Sequence, residues 1–380
     1  MSSPVDAFQN LSRIFATRCN RILEIEILPP AFGPFLEDGC SVGITKKYLV
    51  QAFVTARSIF FENSIGVCDS SATSLDNNEG PTWMSQGKRF DDFNTSSEIM
   101  LLFDCEHLTA CNWRKKRLAG YIRRYELEQE NDALEQLLQA LEGEISLMTS
   151  FLCSPLHRHT KSPTLWQHRF WVLNAMLHVR GMGLKGGNSQ ILGFAGPGLS
   201  LENGTSGRET IYNLLKSELR TVLRAGELHP KNYYAFSYMR QLLGILSDAM
   251  EEEQTSSNLL AQSIIEEALN WCQAHPTDVS GWMFSLYLLE VVQDRNIQKN
   301  VLNRVLRFAL DIGWEGESFW TFVDLVVESF DLVGLAMDVL VSSPDVASTS
   351  TLGLVDDITE PRKSWKTWLS MAKSHWASRK

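Results

Sequence analysis

The chain has 380 residues, 44% hydrophobic and 21% charged, with a formal net charge of -10. That composition is globular, with length for one large or two ordinary domains, and its acidic balance argues against a nucleic-acid binder. The seven cysteines are an odd set without C-x2-C or C-x4-C spacing, which argues against a disulfide framework and a local zinc knuckle.

The cysteine pattern predicts reduced thiols in a cytosolic or nuclear protein, cytoplasmic being preferred, and the N-terminus shows no basic segment followed by an apolar one, so no signal peptide is expected. No apolar run approaches the roughly 18 residues of a membrane span, so no transmembrane segment is expected. In chain order, Ala7 to Arg21 reads as a helix. Ile22 to Pro30 either continues it or becomes extended, and Pro29-Pro30 ends any helix. Lys46 to Phe61 reads as a second helix. Residues 63–97, rich in Ser, Asn, Asp and Gly, predict a mobile loop that completes an N-terminal extension over 1–97.

From Glu98 onward helical periodicity dominates. Tyr121 to Leu152, Arg208 to Ala225, Asn258 to Ala274 and Asn300 to Ile312 read as long helices. Residues 181–207 form a Gly-rich insertion, and 331–380 end in capping helices with Trp365, Trp368 and Trp376. No strand alternation is sustained past residue 100, so the fold class is all-α.

A motif recurs within residues 98–330. Asp104–Arg114, Ser162–Arg169, His229–Phe236, His275–Trp282 and, more faintly, Glu317–Trp320 each open a helix. Aligned on Cys111, Trp166, Phe236, Trp282 and Trp320, each has an aliphatic residue seven positions later: Leu118, Leu173, Leu243, Leu289 and Val327. Seven residues are about two helical turns, so anchor and aliphatic share one face. The unit is helix, polar turn, helix, stacked as a helical-hairpin solenoid in which each unit buries its face on its neighbours.

These units resemble the repeats of protein prenyltransferase α subunits, which read P-K-N-Y-x-A-W-x-x-R-x-x-x-L. Pro230-Lys231-Asn232-Tyr233 and Ala235 match, with Phe236 in place of Trp. Trp166-Gln167-His168-Arg169 matches the W-x-H-R form, and Ala110 to Arg114 matches with Cys111 in place of Trp. The repeat Arg falls on Arg114 and Arg169, whereas Met239, Ser285 and Val323 stand there later. With its extension and irregular spacing the chain looks most like the divergent branch called prenyltransferase alpha subunit repeat-containing proteins.

That resemblance implies a right-handed, TPR-like superhelix. It also implies pairing with a prenyltransferase β subunit, that of Rab geranylgeranyltransferase. The heterodimer would transfer geranylgeranyl to acceptor cysteines, including one on a SNARE already carrying a prenyl group. Zinc belongs to the β subunit, with no metal site or cofactor in this chain. The choice of geranylgeranyl over farnesyl rests on the resemblance alone.

By the same resemblance, Lys231 approaches the isoprenoid diphosphate at the shared cleft and Tyr233 supports it. The alternative reading makes Lys231 a solvated turn residue and Tyr233 a packing residue. Arg114 and Arg169 are expected to satisfy carbonyls or pair with an acidic residue of the next unit. Trp166, Trp282 and Trp320 are expected in the core. The Gly181–Gly186 match to G-x-G-x-x-G follows a helix rather than a strand, so no dinucleotide site is read there. His157-Arg158-His159 near Cys153 reads as a turn rather than a metal site. The competing functional class is a non-enzymatic helical-repeat interaction scaffold.

Overall fold

A computed structural model describes residues 4–68, 87–179, 205–249, 253–314 and 316–342. At the C-terminal end it describes 370, 372, 374–376 and 378. The chain divides into two compact units, Met1–Met250 and Glu251–Lys380.

The first unit opens with α1 (Pro4–Thr17), followed by β1 (Glu24–Leu28), β2 (Phe35–Asp38) and β3 (Ser41–Thr45). The strands form one sheet in the order β1-β3-β2, with β1 parallel and β2 antiparallel to β3. Ile22 to Pro30 therefore takes the extended alternative. Ile25, Val42 and Ile44 are buried, so strand pairing there covers more apolar surface than a longer α1 would. The outer edge of β1 is covered: the Leu23 and Ile25 amides donate to Ser150 Oγ and Ser154 Oγ, each at 2.8 Å.

Helices then dominate, as the all-α reading expects: α2 (Lys46–Cys68), α3 (Gly87–Phe103), α4 (Leu108–Glu128), α5 (Asn131–Leu152), α6 (Pro163–Val179), α7 (Thr205–Leu228) and α8 (Tyr233–Ala249). Two expectations are corrected. The mobile loop over 63–97 is helical at both ends, as the end of α2 and the start of α3, and residues 69–86 lie outside the described residues. Its polar composition misled because Thr95, Ser96 and Ser97 are buried. Small hydroxyl side chains let α3 pack closely against α1 and α2, and Ser97 serves a buried arginine.

The second correction concerns Tyr121 to Leu152, which is two helices. Gln129 takes a left-handed backbone with φ 51° and donates its amide to Tyr125 O, closing α4, and Glu130 is extended. No Gly or Pro marks that break. The Gly-rich stretch 181–204, with its G-x-G-x-x-G match, lies outside the described residues. So do Trp365 and Trp368.

In the first unit α5 packs against α4 and α6, and α8 against α6 and α7. Leu118, Ile122, Leu137, Leu141, Val172 and Ala175 form one apolar cluster between α4, α5 and α6.

The second unit holds α9 (Glu253–Ala274), α10 (Val279–Val291), α11 (Arg295–Ile312), α12 (Glu317–Ser329) and α13 (Val333–Ser342). Asp278 and Asp294 cap α10 and α11, each accepting from two first-turn amides. Gly281 sits under Trp271: a Cβ there would lie 2.6 Å from the indole ring, so α9 and α10 approach closely only with glycine at that position. Trp376 is buried and donates Nε1–H to Asp324 of α12.

Candidate functional site

Cys111, Trp166, Phe236, Trp282 and Trp320 are all buried, as are the aliphatics seven residues on. The three tryptophans make one repeated bond. Nε1–H donates to the carbonyl six residues earlier: Trp166 to Thr160 at 2.8 Å, Trp282 to Pro276 at 3.0 Å and Trp320 to Trp314 at 2.9 Å. Each indole thus fills the core and fastens its helix to the preceding turn, and its one polar atom is satisfied. Phe236 cannot make that bond. In its unit Asn232 Nδ2 reaches the previous turn instead, donating to Thr160 O at 2.6 Å.

The two arginines join neighbouring units. Arg114 of α4 forks onto Glu144 of α5, with Nε to Oε1 and Nη2 to Oε2 both 2.7 Å. Arg169 of α6 forks onto Glu218 of α7 at 2.8 and 2.7 Å, and Tyr238 donates to the same carboxylate at 2.6 Å. Both arginines are buried, so the planar fork matters: it satisfies a buried carboxylate along both oxygens.

Glu144 also accepts from Arg117 and from His168 Nε2, the latter at 2.7 Å. Burial alone would lift the Glu144 carboxyl, but Arg114 and His168 hold it well below the usual carboxylate range. Burial pulls the His168 imidazole down, and hydrogen bonds with Cys111 and Glu144 more than reverse this, so its pKa lies above the ordinary histidine value. Arg18, just after α1, pairs with Glu98 at 3.7 Å, and Glu98 meets Arg114 at 3.4 Å. The network thereby ties the N-terminal elements to the first repeats.

Glu144 and Glu218 were not singled out from sequence. They stand 30 and 49 residues from their arginines, so no fixed spacing reveals them. In later units the arginine position is buried as Met239, Ser285 and Val323, and Ser285 Oγ lies 3.4 Å from Cys272 Sγ.

Lys231 and Tyr233 occupy the third of three turns that are stitched together in the first unit. Ser162 Oγ donates to Cys105 O at 3.2 Å, and Thr164 Oγ1 donates to Glu106, which joins the turn before α4 to the turn before α6. Thr160 Oγ1 bonds His229 Nδ1 at 2.8 Å, which joins the turn before α6 to the turn before α8. Asn232 Oδ1 caps α8 by accepting from the Ala235 amide at 3.2 Å.

On that frame Lys231 is exposed and takes a left-handed φ of 61°, uncommon for a residue with a Cβ. Tyr233 is 63% exposed and Tyr234 44%, their rings edge to face at 5.8 Å. His157 and His229 stand ring to ring at 6.1 Å. Burial, then the Lys161 charge and His157, push the His229 pKa down. The row of turns thus presents cations and phenol hydroxyls, the donors an anion needs, and offers no activated nucleophile. Burial pushes the Cys105 and Cys153 thiols up to about 11 and Cys272 up to about 12, away from thiolate chemistry at neutral pH. Among the described residues no group of three or more His, Cys, Asp and Glu side chains is placed to hold a metal.

His159, in the turn before α6, is buried and donates from Nε2 to Leu101 O at 3.0 Å. Burial lowers its pKa to about 4, against the carbonyls that raise it. An unfolded chain binds a proton at this residue near pH 6.5, whereas the folded one does not until about pH 4. The first unit should therefore lose about 3 kcal/mol as pH falls through that window. His168 has the opposite sign, and its contribution is lost only as pH rises above 6.5, so the two effects separate. Urea titrations at several pH values check this: His159→Gln should flatten the slope between pH 6.5 and 5, and an unchanged slope would assign the effect elsewhere.

Among the described residues no helix is long and apolar enough to cross a membrane. The family model described as the ECM9 middle domain matches residues 203–308, which takes in Lys231, Tyr233 and the anchors Phe236 and Trp282 but less than half of the chain. No curated protein matches the chain.

Proposed function

We propose that the chain is the α-type subunit of a heterodimeric protein prenyltransferase, inactive alone, and that it holds a zinc-bearing β subunit against the row of turns. The observation that supports this most is the row itself. Its turns are bonded to one another, and they carry exposed Lys231, Tyr233 and Tyr234 beside Lys161 and His229. A β subunit laid along it would bring zinc to activate the acceptor thiol. Lys231 would meet the diphosphate and stabilise the charge that develops as the isoprenoid leaves. Prenylation of an acceptor cysteine, geranylgeranyl being the preferred lipid and a SNARE one acceptor, extends the resemblance of the repeats. A cytoplasmic location goes with that reading.

Co-expression with the β subunit of Rab geranylgeranyltransferase, followed by affinity capture and size exclusion, tests it. A one-to-one complex that transfers labelled geranylgeranyl is expected. Absence of any complex with that or the farnesyltransferase β subunit, both chains being folded, would favour the scaffold reading.

A further inference from the structure

The turn that carries Lys231 is tied to the preceding unit through a single residue. Thr160, fully buried in the turn before α6, bonds the Lys231 turn on both of its flanks. Its Oγ1 bonds His229 Nδ1 at 2.8 Å, and its carbonyl accepts from Asn232 Nδ2 at 2.6 Å. The same carbonyl accepts from Trp166 Nε1 at 2.8 Å, so both of its lone pairs are used. The residues around Thr160 are held from the other side. His159 Nε2 donates to Leu101 O of α3 at 3.0 Å, and Ser162 Oγ donates to Cys105 O in the turn before α4 at 3.2 Å.

Pro230 and Lys231 stand between the two residues that Thr160 holds. The proline ring fixes its own φ near about -65°. Lys231 has no such constraint, yet it takes φ 61°, which a residue with a Cβ ordinarily avoids. Its carbonyl accepts from the Tyr233 amide at 3.1 Å, which closes a tight turn. Relaxation to a negative φ would swing Asn232 relative to His229, and both are bonded to Thr160. The two bonds therefore oppose the relaxation that Lys231 would otherwise favour.

We propose that Thr160 is a positioning residue for Lys231: it keeps the turn in the conformation from which the ammonium meets the departing diphosphate. The inference rests on the heterodimer reading and on the part given there to Lys231. Thr160 touches neither lipid nor acceptor and acts only through the backbone of the next unit. Rate depends steeply on placement, an error of about 1 Å costing up to about a hundredfold, so loss of one of the two bonds should slow transfer about tenfold.

Single-turnover transfer of labelled geranylgeranyl is measured in complexes of the full chain with the β subunit of Rab geranylgeranyltransferase. Thr160→Val keeps the shape and the carbonyl bonds and removes the bond to His229. It should lower the maximal rate about tenfold, with β-subunit affinity and half-saturating lipid diphosphate within twofold of wild type. Thr160→Ser restores the hydroxyl and should recover most of the rate. Thr160→Val added to Lys231→Ala should cost nothing further, because the group it positions is gone. A wild-type rate in Thr160→Val beside a slow Lys231→Ala would overturn this proposal and leave the heterodimer reading standing. Additive losses in the double variant would also overturn it, since Thr160 would then act on something other than Lys231. A wild-type chain that forms no complex would overturn both. Asn232→Asp covers the case of a Thr160→Val chain that misfolds: it keeps the oxygen that caps α8 and loses the donor to Thr160, so it should slow transfer in the same way, and a wild-type rate there would count against the proposal equally.

Discussion

Glu144→Ala should destabilise the first unit by about 3–5 kcal/mol, the largest effect of any single substitution in the network. The reason is what remains. Arg114 and Arg117 would face one another beside His168 in a buried site, with Glu98 still 3.4 Å from Arg114. Coulomb repulsion and desolvation then act together, and the guanidinium donors lose their acceptors. Glu144→Gln keeps the shape and should recover only part of the loss, because a neutral amide cannot balance the cations. Glu218→Ala removes the partner of one arginine and one tyrosine, so its cost should be the smaller. Urea unfolding followed by circular dichroism at pH 7.5 measures all three. Equal, small losses for Glu144→Ala and Glu218→Ala would mean that the network relaxes or admits water, and that unit stacking rests on the apolar anchors instead.

The contrast between anchors and acids explains how much of this architecture is legible in the sequence. Trp166, Trp282 and Trp320 recur at a fixed place in three of the five units because one short-range bond, indole to the carbonyl six residues back, fixes their position relative to the turn. Local geometry leaves a local signature. Arg114 and Arg169 are visible because each stands three residues after its anchor, Cys111 and Trp166. Their carboxylates are not, because any residue on the facing helix that reaches the guanidinium will serve, and the connecting segments differ in length.

Composition misled over residues 63–97 through the opposite effect. Ser97 looks like part of a solvated loop, yet it is a buried polar residue whose partner, Arg114, lies about five helical turns further along the chain. The break at Gln129 left no trace because its left-handed cap is held by a backbone bond that any residue able to adopt φ 51° can make. The turn at Lys231 was legible, but its left-handed backbone was not: Asn232, bonded both to the previous turn and to its own helix, follows Lys231 there.

That conformation sharpens the functional prediction. In the proposed heterodimer Lys231→Ala should lower the rate of isoprenoid transfer about a hundredfold, the typical effect of removing one preorganised donor from a developing anion. Lys231 sits on a turn whose neighbours are fixed by bonds to the preceding unit, so its backbone is held by the fold. The loss should fall mainly on kcat, because charge on the diphosphate bridge grows only as the bond to the isoprenoid breaks. Lys231→Arg should recover part of it, keeping charge while changing reach. Tyr233→Phe should cost less, since a neutral hydroxyl stabilises an anion more weakly than an ammonium does. Single-turnover assays with labelled geranylgeranyl diphosphate, run beside a binding titration of the β subunit, separate the possibilities. Wild-type turnover in Lys231→Ala would remove Lys231 from the chemistry. Weakened assembly with normal turnover per complex would make the turn a docking element for the partner and nothing more.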